Sequence, residues 1–189
     1  GKALIDRRQP LQDAAKLVEA GVRPPLRLDL VLPDHPVPMT ADATGLMQMA
    51  LNLCINARDA LMHYPPAGEP GRIRLELGPP TPADLARSFE IGGLEPGGDY
   101  LRLEIADNGP GMDAATRARV FTPYFSTKGD KGTGLGVPIA AAVVRDHGGA
   151  LSLTSEPGAG TSFVILLPRA GTEGHESEDA LHPEGSPLG

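Results

Sequence analysis

One stretch limits what this chain can fold into more than any other: Leu46 to Leu61, LMQMALNLCINARDAL. At about 100° per residue, a helix here gathers Gln48, Asn52, Asn56 and Asp59 into an arc of roughly 80°, while Met47, Leu51, Leu53, Cys54, Ile55 and Leu61 cover most of the remaining surface. A helix this apolar has to be mostly buried. Amides and a carboxylate taken inside need hydrogen-bond partners, so the stripe must face either a polar network of the protein itself or a polar ligand. The helix alone does not choose between them.

The 189 residues suffice for one domain with a sizeable core, and 40% hydrophobic with 22% charged is ordinary globular usage. The 24 Gly and 20 Pro are above the usual share and predict long loops and special turns. No apolar run approaches membrane-spanning length and no signal peptide opens the chain, so a cytoplasmic domain is expected, whether or not a larger parent is membrane-anchored. The single cysteine, Cys54, lies on the apolar side of the helix and reads as a core thiol. Of the seven net negative charges, five sit in the tail from Gly171, on Glu173, Glu176, Glu178, Asp179 and Glu184. The rest is nearly neutral, which argues against nucleic acid or an anionic membrane surface as partner.

Along the chain, residues 3–20 read as the end of one helix, a break at Pro10 and a second short helix stopped by Gly21 and Pro24. Leu26 to Leu32 alternates at period two and reads as a strand, with Val37 to Thr40 as a short partner at an edge. The central helix begins near Thr40 to Asp42, where a side-chain oxygen can cap free amides, and ends before Pro65. Arg72 to Leu77 and Tyr100 to Ala106 read as strands, separated by a Gly- and Pro-rich excursion, Gly78 to Asp99, with one helical turn around Ala83 to Arg87. A helix from about Val137 to His147 and strands Ala150 to Ser155 and Thr161 to Leu167 follow, and the tail from Gly171 reads as a linker or disordered. Helices beside a mixed or antiparallel sheet make an α/β sandwich.

Two motifs carry chemistry. Asp107-Asn-Gly-Pro-Gly-Met112 takes an acid off the end of a strand into two glycines, which suits close backbone approach to a ligand beside one fixed carboxylate. It is equally a good turn sequence. Lys128 to Gly136, KGDKGTGLG, has glycines at 129, 132, 134 and 136 leading into a helix, a spacing that frees backbone amides to meet phosphate oxygens at a helix start. No Gly-Lys-Ser/Thr occurs, so this is not the Walker pattern.

In this order the motifs resemble those of sensor histidine kinases: the N box in the helix with Asn52 and Asn56, a first glycine box at Asp107 to Met112, an F box at Val120 to Lys128, and a second glycine box at Gly132 to Gly136. Together they resemble the Bergerat-type ATP-binding domain shared by histidine kinases, DNA gyrase, MutL and the ninety-kilodalton heat-shock chaperone. His147 to Pro168, with its Gly-Thr-x-Phe element at Gly160 to Phe163, is similar to the end of that domain. The match spans roughly Leu26 to Pro168.

The resemblance implies a two-layer α/β sandwich, a mixed sheet with helices on one face, and a mobile ATP lid over residues 113–135. It implies that Asp107 accepts the adenine amino group with Thr161 supporting it through water, and that Gly109, Gly111 and Met112 lie along the base. Asn56 would coordinate magnesium through its side-chain oxygen, with Asn52 one turn earlier near the phosphates. Gly132, Thr133, Gly134, Leu135 and Gly136 would line the phosphate site, and Lys128 and Lys131 would be phosphate partners or plain surface lysines.

Three positions depart from the family. Asp59 stands where a basic residue often follows the magnesium asparagine, so Arg58 or a lid lysine would have to serve the phosphate. Thr122 replaces an acid of the F box, and Pro138 comes early in the helix after the second glycine box, which a first turn tolerates. The phosphoacceptor is also missing, since of His35, His63, His147, His175 and His182 only His175-Glu176 mimics the start of an acceptor motif, in a tail without helical period. The resemblance therefore implies a catalytic piece of a larger sensor kinase: the end of a dimerisation hairpin and linker at residues 1–25, a catalytic domain at 26–170 and a tail at 171–189. Its partners would be the parent's histidine-bearing hairpin and a response-regulator receiver domain, and its cofactors ATP and magnesium. The alternatives are an ATP hydrolase of the gyrase or MutL type and a degenerate docking module.

Overall fold

The computed structural model describes residues 1–123 and 136–169. Its centre is a six-stranded mixed sheet in the order β2 (Arg27–Val31), β4 (Arg72–Gly78), β6 (Tyr100–Asp107), β8 (Thr161–Pro168), β7 (Ala150–Ser155), β5 (Ile91–Gly92). The β2–β4 pair is parallel and the other pairs are antiparallel. Every second residue points to the same face, so Ile73, Leu75 and Leu77, then Leu101, Leu103 and Ile105, then Phe163, Ile165 and Leu167, then Leu151 and Leu153 form one continuous apolar face. The helices α1 (Arg8–Glu19), α2 (Ala43–His63) and α5 (Gly136–Asp146) share their buried residues with that face in a single core, the α/β sandwich expected from the sequence.

The N-terminal segment differs from the sequence expectation. Ala3–Asp6 is a strand, β1, paired antiparallel with β3 (Pro38–Ala41) in a separate two-stranded sheet, so β3 partners β1 and not β2. Pro10 breaks nothing. It is the third residue of α1, where no intrahelical donor is lost, and Leu11, Ala14, Ala15 and Val18 recur at helical spacing and are buried. Sequence alone read Pro10 as a stop because the residues before it are equally compatible with a helix.

The excursion between β4 and β6 is more ordered than its composition suggests. A short helix, α3 (Pro82–Leu85), is capped by Thr81, and Asp84 is 1% exposed, paired with Arg87 at 2.9 Å and Arg102 at 2.8 Å. Burial would raise the Asp84 pKa, but hydrogen bonds from Thr81 and Arg87, with the charge of Arg102, bring it down to about 2. Beyond it, β5 adds to the free edge of β7, and Phe89 and Leu94 pack on Tyr100, Val164 and Leu166, covering part of the sheet face opposite the helices.

Candidate nucleotide site

Three neighbouring strands end their apolar rows in a polar residue at the same end of the sheet. On β6 the row Leu101, Leu103, Ile105 continues to Asp107; on β8, read backwards, Leu167, Ile165, Phe163 continues to Thr161; on β7, Leu151 and Leu153 continue to Ser155. The ladder sets Asp107 opposite Thr161 and Thr161 opposite Ser155. A carboxylate and two hydroxyls thus stand where the core face opens. The Asp107 carboxylate accepts from the Gly109 backbone N–H at 2.8 Å. Burial pushes its pKa up to about 6, against the backbone hydrogen bonds from Gly109 and Thr161 that favour the charge.

The loop after Asp107 is fastened from below. Ser155 Oγ accepts from the Met112 N–H at 2.8 Å, donates to the Gly160 carbonyl at 3.1 Å and lies 2.9 Å from Thr161 Oγ1. Gly158 N–H donates to the Pro110 carbonyl at 2.8 Å, and Arg117 on α4 (Ala114–Arg119) donates to the Ser155 carbonyl at 3.1 Å. Gly111 has φ +70°, and a Cβ there would fall 1.9 Å from the Glu156 carbonyl oxygen. Only glycine satisfies both the backbone angle and the space. Asn108, which the motif reading passed over, clamps the loop sideways by accepting from Arg72 N–H at 2.6 Å and donating to the Pro70 carbonyl at 3.0 Å.

Facing this loop is α2. Leu61 lies under the first glycine loop, its Cδ2 3.6 Å from where a Gly109 Cβ would sit. Two to three turns earlier, Asn52 lies beside Gly136, the first residue of α5, with its backbone oxygen and Cβ 3.7 and 3.8 Å from a Cβ built there. Asn52, Asn56 and Asp59 are half-buried, and the stripe reaches solvent at Gln48. The structure therefore brings Asn52, Asn56, Asp107, Gly109, Gly111, Met112, Gly136 and Thr161 to one region between α2, the start of α5 and the end of the sheet. Lys128, Lys131, Gly132, Thr133, Gly134 and Leu135 lie outside the described residues, as do the rest of the F box from residue 124, the tail and His175. The first part of the expected lid is α4.

Other expectations are refined. The side chain of Asp42 makes no capping bond at the head of α2; its backbone N–H instead donates to His147 Nε2 at 3.1 Å, while His147 Nδ1–H donates to the Val143 carbonyl at 2.8 Å. His147 is thus a structural link between α2 and α5, as expected of it, and His63 Nδ1 lies 2.8 Å from the Asp59 carbonyl. Arg58 turns to the end of α1, its Nη1 2.6 Å from where a Gly21 Cβ would sit, and pairs with Asp59 at 3.4 Å. Pro138 occupies the first turn of α5 without interrupting it. Cys54 is fully buried, and burial pushes its thiol up to about 12. A cavity of about 300 Å³ between Lys2, Asp42, Gly45, Val143, Asp146 and His147 includes none of the glycine-box residues.

Ser155 is the residue that motif reading missed. The signal was present: in the row Leu151, Leu153, Ser155 a hydroxyl takes the third place on the buried face of a strand, where a polar group has to be partnered.

Comparison with known proteins agrees with this fold. Residues 41–171 match the family described as histidine kinase-, DNA gyrase B-, and HSP90-like ATPase. The chain is 39% identical to sensor kinase CckA of Brucella abortus over 70% of its length and 13% of that protein's, and 31% identical to the signal transduction histidine-protein kinase AtoS of Escherichia coli over 79% and 21%. It therefore spans only an eighth to a quarter of the curated relatives it matches. The mycobacterial sensor histidine kinase MprB superposes with a TM-score of 0.66 at 26% identity, covering 88% of this chain and 97% of that one. Full-length ShkA in complex with AMPPNP shares the fold at a TM-score of 0.63 and 24% identity, covering 89% of this chain and 31% of that one. No helix among the described residues is long and apolar enough to cross a membrane. With its strand-end acid, its glycine loop and its asparagine helix gathered at one end of such a sheet, the chain belongs to the histidine kinase-, DNA gyrase B- and HSP90-like ATPase family.

Proposed function

We propose that this domain binds magnesium-ATP and transfers the γ-phosphoryl group to a histidine on a separate dimerisation and phosphoacceptor domain of its parent, from which a response-regulator receiver would be charged. One observation carries the reading: a half-buried carboxylate, Asp107, is held at the open end of the core face by Gly109 and Thr161, across from the asparagine stripe of α2. Asp107 would accept from the adenine amino group, with Gly109, Gly111 and Met112 along the base and Thr161 behind it. Asn52 and Gly136 lie together where the phosphates would begin, and Gly132 to Leu135, Lys128 and Lys131 would complete that end.

The donor set fits magnesium. Among the described residues no three His, Cys, Asp or Glu side chains gather into a metal cage. Magnesium retains water and phosphate oxygens and takes few protein ligands, so the amide oxygen of Asn56 is a suitable one. When bound, the ion would neutralise phosphate charge; the protein's own part is positioning, since phosphoryl transfer asks little covalent chemistry of it. Arg58, turned toward Gly21, leaves phosphate contact to the lysines at 128 and 131.

The hydrolase reading has less support. In the resembling hydrolases a glutamate one turn before the magnesium asparagine serves as general base; here that position is Asn52, and an amide orients water without taking its proton. The intact Asn56, Asp107 and glycine boxes of the sequence argue against the docking-module reading, and magnesium-dependent nucleotide binding decides it. We place the domain in the cytoplasm and divide the chain at about residues 25 and 170, with α1 docked on the catalytic layer. The test supplies the parent's helical hairpin in trans with γ-labelled ATP: label on the hairpin histidine, none on the chain alone and phosphate release near background are expected. Brisk phosphate release that Asp59→Asn abolishes without loss of binding would replace this reading by the hydrolase one.

A further inference from the structure

We infer that Ser155 is a specificity-determining residue for the purine base, acting through Thr161; the inference rests on the nucleotide-binding reading above. A serine hydroxyl has one hydrogen and two lone pairs. Around Ser155 Oγ three groups lie within hydrogen-bond distance: the Met112 N–H at 2.8 Å, the Gly160 carbonyl at 3.1 Å and Thr161 Oγ1 at 2.9 Å. The amide can only donate and the carbonyl can only accept. Ser155 is 2% exposed and Gly160 is buried, so the carbonyl requires its donor. The serine hydrogen therefore goes to Gly160, one lone pair receives Met112, and the remaining lone pair receives the hydrogen of Thr161. Every group is satisfied in this arrangement alone.

The consequence reaches the base. With its hydrogen committed to Ser155, Thr161 Oγ1 turns only lone pairs toward Asp107, its neighbour across the ladder. The pocket end then carries two acceptors, the carboxylate and the threonine oxygen. An amino group donates directly to such a pair, and a water that donates to Thr161 has its other hydrogen directed onward to a ring nitrogen that accepts. Adenine has that pattern, an exocyclic amino group beside an accepting N1. Hypoxanthine and guanine reverse both positions. Without Ser155, the Thr161 hydroxyl rotates freely and donates to a 6-oxo group.

The measurement is the dissociation constant of ADP and of inosine diphosphate, each with magnesium, for the wild type, Ser155→Ala and Thr161→Val, by titration calorimetry. The wild type is expected to prefer ADP strongly, and each variant to compress the ADP-to-IDP ratio by about tenfold, the scale of one hydrogen bond. The double variant should compress it no further, because the two hydroxyls act as one unit. General loosening of the fold lowers both affinities together and leaves the ratio alone, so an unchanged ratio in Ser155→Ala overturns the inference. If that variant does not fold, the shape-conserving Thr161→Val decides it in the same way. A wild type that binds neither diphosphate defeats the nucleotide reading itself; one that binds both equally defeats only the base-specificity assignment.

Discussion

Thr161 stands directly across the β6–β8 ladder from Asp107, and its backbone N–H joins that of Gly109 in holding the Asp107 carboxylate. Burial nevertheless wins, and the group titrates at about 6 in place of its usual 3.8. A carboxyl whose pKa is raised by folding leaves the fold fully stable below the unfolded value and withdraws stability as pH rises through the folded one. At pH 7 the ionised Asp107 costs the free protein on the order of 2–3 kcal/mol. Asp107→Asn should therefore gain on the wild type in urea melts as pH goes from 4 to 8, while losing ADP affinity by tenfold or more. A stability difference that is flat with pH would show that the carboxylate is better solvated than its surroundings indicate.

The same titration should appear in ligand binding. An adenine amino group needs the ionised acceptor, so wild-type ADP affinity is expected to fall as pH drops through about 6, and this slope should vanish in Asp107→Asn. Calorimetry between pH 5 and 8 is sufficient, and equal slopes in the two proteins would move the effect away from Asp107.

Two glycines with positive φ separate space from backbone angle. Gly111 (φ +70°) has the Glu156 carbonyl 1.9 Å from a built Cβ, whereas Gly158 (φ +80°) has nothing within 4 Å. Gly158→Ala should cost about 1 kcal/mol, the backbone preference alone. Gly111→Ala adds displacement of the β7–β8 turn and should cost at least about 3 kcal/mol and abolish nucleotide binding. Comparable denaturation midpoints for the two would mean that the turn yields easily.

Asp84 anchors the excursion and lies on the opposite side of the sheet from the nucleotide residues. With its pKa depressed to about 2, its contribution, on the order of 2 kcal/mol, is present above 3.8 and lost as pH falls through 2. Asp84→Asn should lower stability at neutral pH by about that amount, lose less at pH 2.5, and leave ADP affinity unchanged. A large affinity change would tie the excursion to the site.

Arg7 is 1% exposed, donates to the Pro168 carbonyl at 2.9 Å and contacts Met39 Sδ, and burial lowers its pKa to about 9. No acid among the described residues pairs with this buried charge, which leaves it poorly compensated, so Arg7→Met, which keeps most of the volume, should equal or exceed the wild type in stability, while Arg7→Ala should lose about 2–4 kcal/mol to the space left behind. Thermal melts of the two variants distinguish charge from volume.

Much of this protein was legible in one dimension because its periodicities are strong. The α2 stripe, the alternating rows of β4, β6, β7 and β8, and the first glycine box each follow from spacing, and with them the α/β class and most of the residues gathered at the candidate site. The sequence was misleading where the local pattern was short or balanced: Ala3–Asp6 is four residues with no period to read, and β5 is two residues that become a strand only because β7 has an edge to offer. Whether the asparagines of α2 faced a protein network or a ligand also lay beyond the sequence, since a helix shows which side is polar but not what stands opposite.

By itself, then, the amino-acid sequence determined the longer elements, their buried faces and the identity of the acid, amides and glycines, because these depend on residue type and on periods of 2 and 3.6. Only the tertiary structure decided that Asp107, Thr161 and Ser155 end three adjacent rows at one corner, that Gly136 meets Asn52, and that Asp84 holds the excursion over the far face. Several of those relations join residues far apart in the chain, Asn52 and Gly136 by 84 positions and Asp107 and Thr161 by 54, through a strand order that no local pattern encodes, and they arise because burying the apolar face of the sheet forces its polar ends together.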